Sequence, residues 1–140
     1  MKKKRLLIAP SALAIALLAV LMVILIRSDR VSLKAQYETY PKGTETVACT
    51  FKNRTMRTVT YGESFTLEYL DNGEWVNVSE YGTSPYFLMY AKMLGSLSSS
   101  EHSYYVGGYS ALEEAGTYRI VTSVTMGEKE LKLYCPFNVE

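Results

Sequence analysis

Two patterns of apolar and polar positions divide this chain. From Leu6 to Ile26 the run "LLIAPSALAIALLAVLMVILI" carries no charge. After it, apolar positions alternate with polar ones in short bursts to the end. The run's 21 residues, at a helical rise of ~1.5 Å, span roughly 31 Å, about the hydrocarbon thickness of a bilayer. Lys2, Lys3, Lys4 and Arg5 precede it, and Arg27, Asp29 and Arg30 come after it. The excess of basic residues in front keeps the N-terminus in the cytoplasm and sends the remainder of the chain outward. The pattern predicts a basic tail over 1–5, one N-terminal transmembrane helix over 6–26 and a short polar linker over 27–36. A cleaved secretory signal is the competing reading. Its apolar core is usually ~7–15 residues and ends in a small-x-small site. Here the small pairs Ala12/Ala14 and Ala14/Ala16 lie inside the run, and Ile24-Leu25-Ile26-Arg27 offers no cleavage geometry. A buried core helix rarely runs so long without a polar interruption.

Beyond the linker the period is two. Val47, Cys49 and Phe51 alternate with Ala48, Thr50 and Lys52, and Phe65, Leu67 and Tyr69 alternate with Thr66 and Glu68. Such alternation marks strands with one buried face. Asp71-Asn72-Gly73 supplies a hairpin turn, and Trp75 starts the return strand. "SPYFLMYAKM" and "HSYYVGGY" read as aromatic-rich strands, and "GTYRIVTSVT" and "KELKLYCPFNV" as a last hairpin around Met126-Gly127-Glu128. About seven short strands in a domain over 37–140 predict an all-β sandwich. Trp75, Val47, Phe51, Phe65, Leu67, Tyr118, Ile120 and Leu133 are the expected inward-facing residues.

The order "TFKNRT", "YGESFTLEYLDNGEWVNV", "LEEAGTYRIVTSV" resembles the bacterial immunoglobulin-like domains of exported proteins. The resemblance runs from about Tyr37 to Val139. It rests on Asn53, Gly62, Leu67-Glu68, Trp75 and the corner Gly116-Tyr118-Arg119-Ile120. It implies an immunoglobulin-like β-sandwich, and it brings no catalytic residues to carry over. In immunoglobulin domains a strand-F cysteine lies two residues after the corner tyrosine. That position is Ile120 here, while Cys49 keeps the strand-B place and Cys135 lies one strand later. A Cys49–Cys135 disulfide and a pair of buried apolar thiols are both open readings, the exported compartment being permissive for the first.

Charge and motifs narrow the function by exclusion. From Arg27 onward there are eleven basic and fourteen acidic residues, a formal charge of −3 with no basic patch, which argues against nucleic acid as a partner. The only histidine, His102, sits among serines, reads as a solvated loop residue and has no second ligand at zinc spacing. The stretch around Ser84 lacks a nucleophile elbow, and Gly107-Gly108 lacks the strand-to-helix setting of a phosphate loop. Asn53-Arg54-Thr55 and Asn77-Val78-Ser79 match the glycosylation sequon.

What remains is binding. No cofactor is expected. The expected partners are the membrane, through the single helix, and an unidentified protein or envelope component. The chain is expected at the cell membrane, single-pass, with its C-terminal domain outside. It reads as a non-catalytic binding or adhesion module, or as an accessory subunit of a neighbouring envelope protein. Tyr104, Tyr105 and Tyr109 are the candidate binding surface, because tyrosine offers large contact area at small entropic cost.

Overall fold

The structure is a computed structural model and describes residues 14–20, 30–78 and 90–140. Residues 14–20 are helical, with every side chain exposed. Among the described residues, no helix is long and apolar enough to cross a membrane. The rest of the span expected over 6–26 lies outside the described residues, as do 27–29 of the expected linker and most of the strand expected in "SPYFLMYAKM".

Among the described residues the sandwich has ten strands: β1 (Val31–Ala35), β2 (Thr39–Tyr40), β3 (Thr46–Asn53), β4 (Val59–Tyr61), β5 (Thr66–Asp71), β6 (Glu74–Asn77), β7 (Lys92–Leu94), β8 (Ser99–Tyr105), β9 (Gly116–Met126) and β10 (Lys129–Val139). They form two sheets. One has the order β1-β3-β8. The other runs β2-β10-β9-β4-β7, with β5 alongside β9 and β6 outside β5. The pairings are antiparallel except β2 with β10. The excess over the expected seven has three sources, one of them the short β2 that runs beside the end of β10. The linker expected up to residue 36 ends sooner, because Val31 and Leu33 are buried and β1 pairs with β3 from Val31 to Ala35. In addition β4 and β5 are two pieces of one broken strand along β9. Thr122 of β9 spans the break, its hydroxyl donating to the Ser64 carbonyl at 2.9 Å.

The core is the sum of the inward phases. Val47, Cys49 and Phe51 of β3 face Tyr118, Ile120 and Val124 of β9 and Leu133, Cys135 and Phe137 of β10, all buried. Ile120 is fully buried and sits directly beside Cys135 across the β9–β10 ladder. Trp75, by contrast, does not face the core. Paired with Leu70 on β5–β6, it lies on the opposite surface of the sheet, over Arg119. A tryptophan on an edge strand can cover a long side chain there instead of filling the interior.

The corner expected at Tyr118 is present. Its hydroxyl donates to the Glu114 carbonyl at 2.9 Å, tying the end of the Ser110–Glu113 3-10 turn to β9. Burial, with Tyr69 and Glu114 adding to it, raises this hydroxyl's pKa to about 12. Tyr104 is the reverse case: its ring is buried, yet its hydroxyl has no hydrogen-bond partner among the described residues. These two tyrosines predict opposite responses to the same change. Tyr118→Phe should lower the unfolding free energy by ~1 kcal/mol, the net worth of a hydrogen bond. Tyr104→Phe should leave it unchanged or raise it by up to ~1 kcal/mol, because a desolvated, unpaired hydroxyl is removed. Urea unfolding of the two variants checks this; equal losses would contradict it.

Candidate functional site

The alternation that fills the core also decides what the surface presents. On β9 Tyr118 and Ile120 point inward, so Arg119 between them points out; on β10 Leu133 and Cys135 point inward, so Tyr134 points out. Glu68 pairs directly with Arg119 across β5–β9. Trp75 reaches the same place from β6. The Arg119 guanidinium lies 4.1 Å from the Trp75 ring centroid and 4.6 Å from that of Tyr134. Its Nε donates to Glu68 Oε2, the pair being about one-fifth exposed on each side. Glu68 neutralises and orients the guanidinium, while each ring attracts it through its quadrupole, ~0.5–1 kcal/mol per contact at an exposed site. The result is a pre-set aromatic platform on the outer face of the larger sheet, with a flat cation between two rings. Arginine, tryptophan and tyrosine are the residues that most often dominate binding energy in such patches.

The tyrosines singled out from the sequence do not come together. Tyr104 and Tyr109 are buried, packing on Phe65 with centroids 5.0 and 6.0 Å apart. Tyr105, 59% exposed, is the only one of the three on the surface. The cause is the pleat: adjacent residues of β8 point to opposite faces. The proposed Tyr104–Tyr105–Tyr109 surface is therefore corrected to one exposed side chain. Sequence reasoning misses Arg119, Tyr134 and Glu68. Their signal is the outward phase of strands whose inward phase is plain.

Three other sequence-level readings change. His102 is a buried residue of β8, against the rings of Phe51, Tyr61 and Tyr104, and not a solvated loop residue. Lys92 Nζ lies 3.3 Å from its Nδ1, and Glu63 lies 3.2 Å from the same ammonium. A lysine can only donate, so this contact fits a neutral ring with its proton on Nε2. The sequon asparagine Asn53 is buried, its amide donating to the carbonyls of Arg57 and Gly95 at 2.7 and 2.8 Å. That amide is closed to a glycan in the folded domain. Cys49 and Cys135 are free thiols, buried, with Sγ atoms 3.5 Å apart across the two sheets. Among the described residues no three of His, Cys, Asp and Glu converge as metal ligands.

A family model described as "Bacterial Ig-like domain" matches residues 27–138. The chain belongs to the bacterial Ig-like domain family. No curated protein sequence matches it. Among solved structures, the archaellum periplasmic stator protein FlaG from Sulfolobus acidocaldarius is similar at 19% identity, covering 76% of this chain and 99% of that one, with a TM-score of 0.41. The alkylpurine DNA glycosylase AlkC of Pseudomonas fluorescens is similar at 12% identity, covering 91% of this chain and 37% of that one, with a TM-score of 0.40. In this bacterial Ig-like domain Cys49 of β3 faces Cys135 of β10, and Ile120 fills the place beside it on the corner strand.

The buried histidine makes the domain's stability depend on pH. Desolvation first, then the Lys92 charge, hold His102 below the ordinary histidine pKa, against the opposing pull of Glu63. The unfolded chain therefore takes up a proton near pH ~6.5 that the folded chain resists. The contribution is complete above that pH and is lost as pH falls below it toward the lowered folded value. Thermal melts from neutral pH down to mildly acid pH should show a falling midpoint. His102→Gln should flatten that part of the profile, and an unaltered slope in the variant would contradict the assignment.

Proposed function

We propose that this protein is a single-pass, membrane-anchored, extracytoplasmic immunoglobulin-like module that works by binding and has no catalytic activity. The observation that carries the binding part is the Trp75–Arg119–Tyr134 platform on the outer sheet face, with Tyr134 exposed, Trp75 and Arg119 half-buried, and the guanidinium pre-oriented by Glu68. A partner meets side chains already held in place, which reduces the entropy lost on association. Anchoring is supported by the uncharged run Leu6–Ile26 behind a basic tail. It is supported too by the helical residues 14–20, whose Ile15, Leu17, Leu18 and Val20 are all exposed, as lipid-facing side chains would be. Immunoglobulin-type folds host many unrelated functions, so the platform's chemistry and not the fold points to the partner's contact surface. The partner class is a protein or other component of the envelope, met on the outer face of the larger sheet.

Two measurements test this. Protease added to intact cells, or to protoplasts where there is a wall, should degrade the sandwich while leaving the N-terminal tail protected. A protected sandwich, or one free in the medium with a new N-terminus, would overturn the topology. Detergent-solubilised full chain should bind envelope fractions of its host. Trp75→Ala together with Tyr134→Ala should weaken that binding about tenfold or more, as loss of central anchors does. Both rings lie outside the core, so the variant should stay folded, losing no more than the ~1–2 kcal/mol of the two cation–π contacts. Unchanged affinity in the double variant would remove the platform as the binding surface.

A further inference from the structure

One end of the sandwich carries apolar side chains that water should not favour. Met56 is 80% exposed and Leu97 66% exposed, on the adjoining loops β3–β4 and β7–β8. Leu97 also occupies the left-handed region, φ 51°, which a leucine adopts only at a cost in backbone energy. These loops are held firmly. The Leu97 amide donates to the Thr55 carbonyl at 3.0 Å, and the Asn53 amide to the Ser98 carbonyl at 2.9 Å. The Asn53 side chain closes the hub, donating to Arg57 and Gly95 and accepting from Thr55. A strained, exposed leucine on a rigid loop has no local reason to be there.

The place of this tip in the chain supplies the reason. The Arg54 amide donates to the Arg30 carbonyl at 2.7 Å, so the tip adjoins the point where the chain enters the sandwich. Arg30 lies four residues beyond the apolar run, and four residues reach at most ~14 Å. Wherever Ile26 ends its span, the tip lies within about a headgroup layer of that end. Its charge also suits that position. Arg30, Arg54 and Arg57 are exposed here, and the β9–β10 hairpin brings Lys129 with Glu128 and Glu130 to the same end, leaving it net basic, whereas Glu45, Glu113, Glu114 and Glu140 gather at the far end of β3 and β10.

We infer that this end is a lipid-contact surface: Met56 and Leu97 enter the interface of the membrane that holds the chain's own helix, and the three arginines meet anionic headgroups. Basic residues beside a span are drawn to anionic lipid, and apolar side chains at that depth leave water. This surface rests on the proposed membrane anchor. It orients the sandwich upright on this tip, leaving the Trp75–Arg119–Tyr134 face clear of the bilayer.

The test uses the full chain reconstituted into vesicles of phosphatidylglycerol and phosphatidylcholine containing brominated lipids. In a Trp75→Phe background, Leu97→Trp should lose most of its emission to bromines near the headgroups and little to bromines at the acyl ends. Adding Arg54→Glu and Arg57→Glu should restore the emission, while the chain stays resistant to carbonate extraction. Trp75 in the unaltered chain should remain unquenched. An unquenched Leu97→Trp indole in a carbonate-resistant chain would overturn the tip alone. A chain extracted by carbonate would overturn the anchor and the tip with it.

The facing thiols carry a second, independent inference. Cys49 of β3 and Cys135 of β10 belong to different sheets, are buried and touch at 3.5 Å. We infer that the exported chain bears a Cys49–Cys135 disulfide, formed by exchange with a protein disulfide of the oxidoreductase class. One thiolate opens that disulfide to a mixed disulfide, the second displaces it, and the oxidant leaves as a dithiol with the two electrons and two protons. Both thiols are buried, so the closed sandwich keeps the oxidant's disulfide from reaching them. Bond formation therefore precedes closure. Full chain isolated from membranes under acid quench, then denatured and alkylated, should take up no adduct without reductant and two with it. Two adducts without reductant would overturn the bridge.

Discussion

Contact between the inward phase of β3 and the inward phases of β9 and β10 is the constraint on which the rest of this molecule depends. Among the described residues the smaller sheet has three strands, of which β3 is paired on both sides. It is held over the larger sheet by Val47, Cys49 and Phe51 meeting the row around Ile120 and Cys135. Apolar burial of this kind is worth roughly 25 cal/mol per Å², so a few fully buried side chains outweigh any single polar contact in the domain. The tyrosine corner, the Asn53 hub and the Thr122 splint are secondary. Each fixes where a strand starts, ends or breaks once the two sheets have met.

That closure also places the candidate platform. Because side chains alternate across a strand, every residue that faces the core forces its neighbours outward. Arg119 and Tyr134 form a platform because Tyr118, Ile120, Leu133 and Cys135 are interior. Trp75 and Glu68 complete it from β6 and β5. The two ends of the sandwich then differ in character. The end beside Arg30 is cationic with exposed Met56 and Leu97, and the end beside Glu45 and Glu140 is anionic. Under the proposed membrane anchor the domain would present one end to the bilayer, and these two ends are not equivalent candidates.

The alternations Val47–Cys49–Phe51 and Tyr118–Ile120 are legible in the sequence because each has a long, unbroken period of two. The corner is legible because its hydroxyl contact is local, four residues apart. β1 reads as linker although Val31 and Leu33 already alternate, because its partner, β3, lies far along the chain and pairing cannot be read from one strand. His102 reads as a loop residue on account of the serines around it; its phase with Tyr104 and Val106 is the sign that it faces inward. Trp75 reads as core on hydrophobicity alone. On an edge strand the nearest apolar cover is an arginine stem on the outer face. The platform escapes notice for the same reason that the core is found: only the inward phase of each strand stands out in the sequence.

Whether the two sheets behave as one cooperative unit joined by that inner row decides between this architecture and two loosely docked sheets. Native-state hydrogen exchange on the sandwich measures this directly. The amides of β3, β9 and β10 should be the slowest and should share one opening free energy, equal to that of global unfolding. If β1, β3 and β8 open together at a clearly lower free energy while β9 and β10 stay protected, the sheets are separate units and the inner row is not what holds the molecule together.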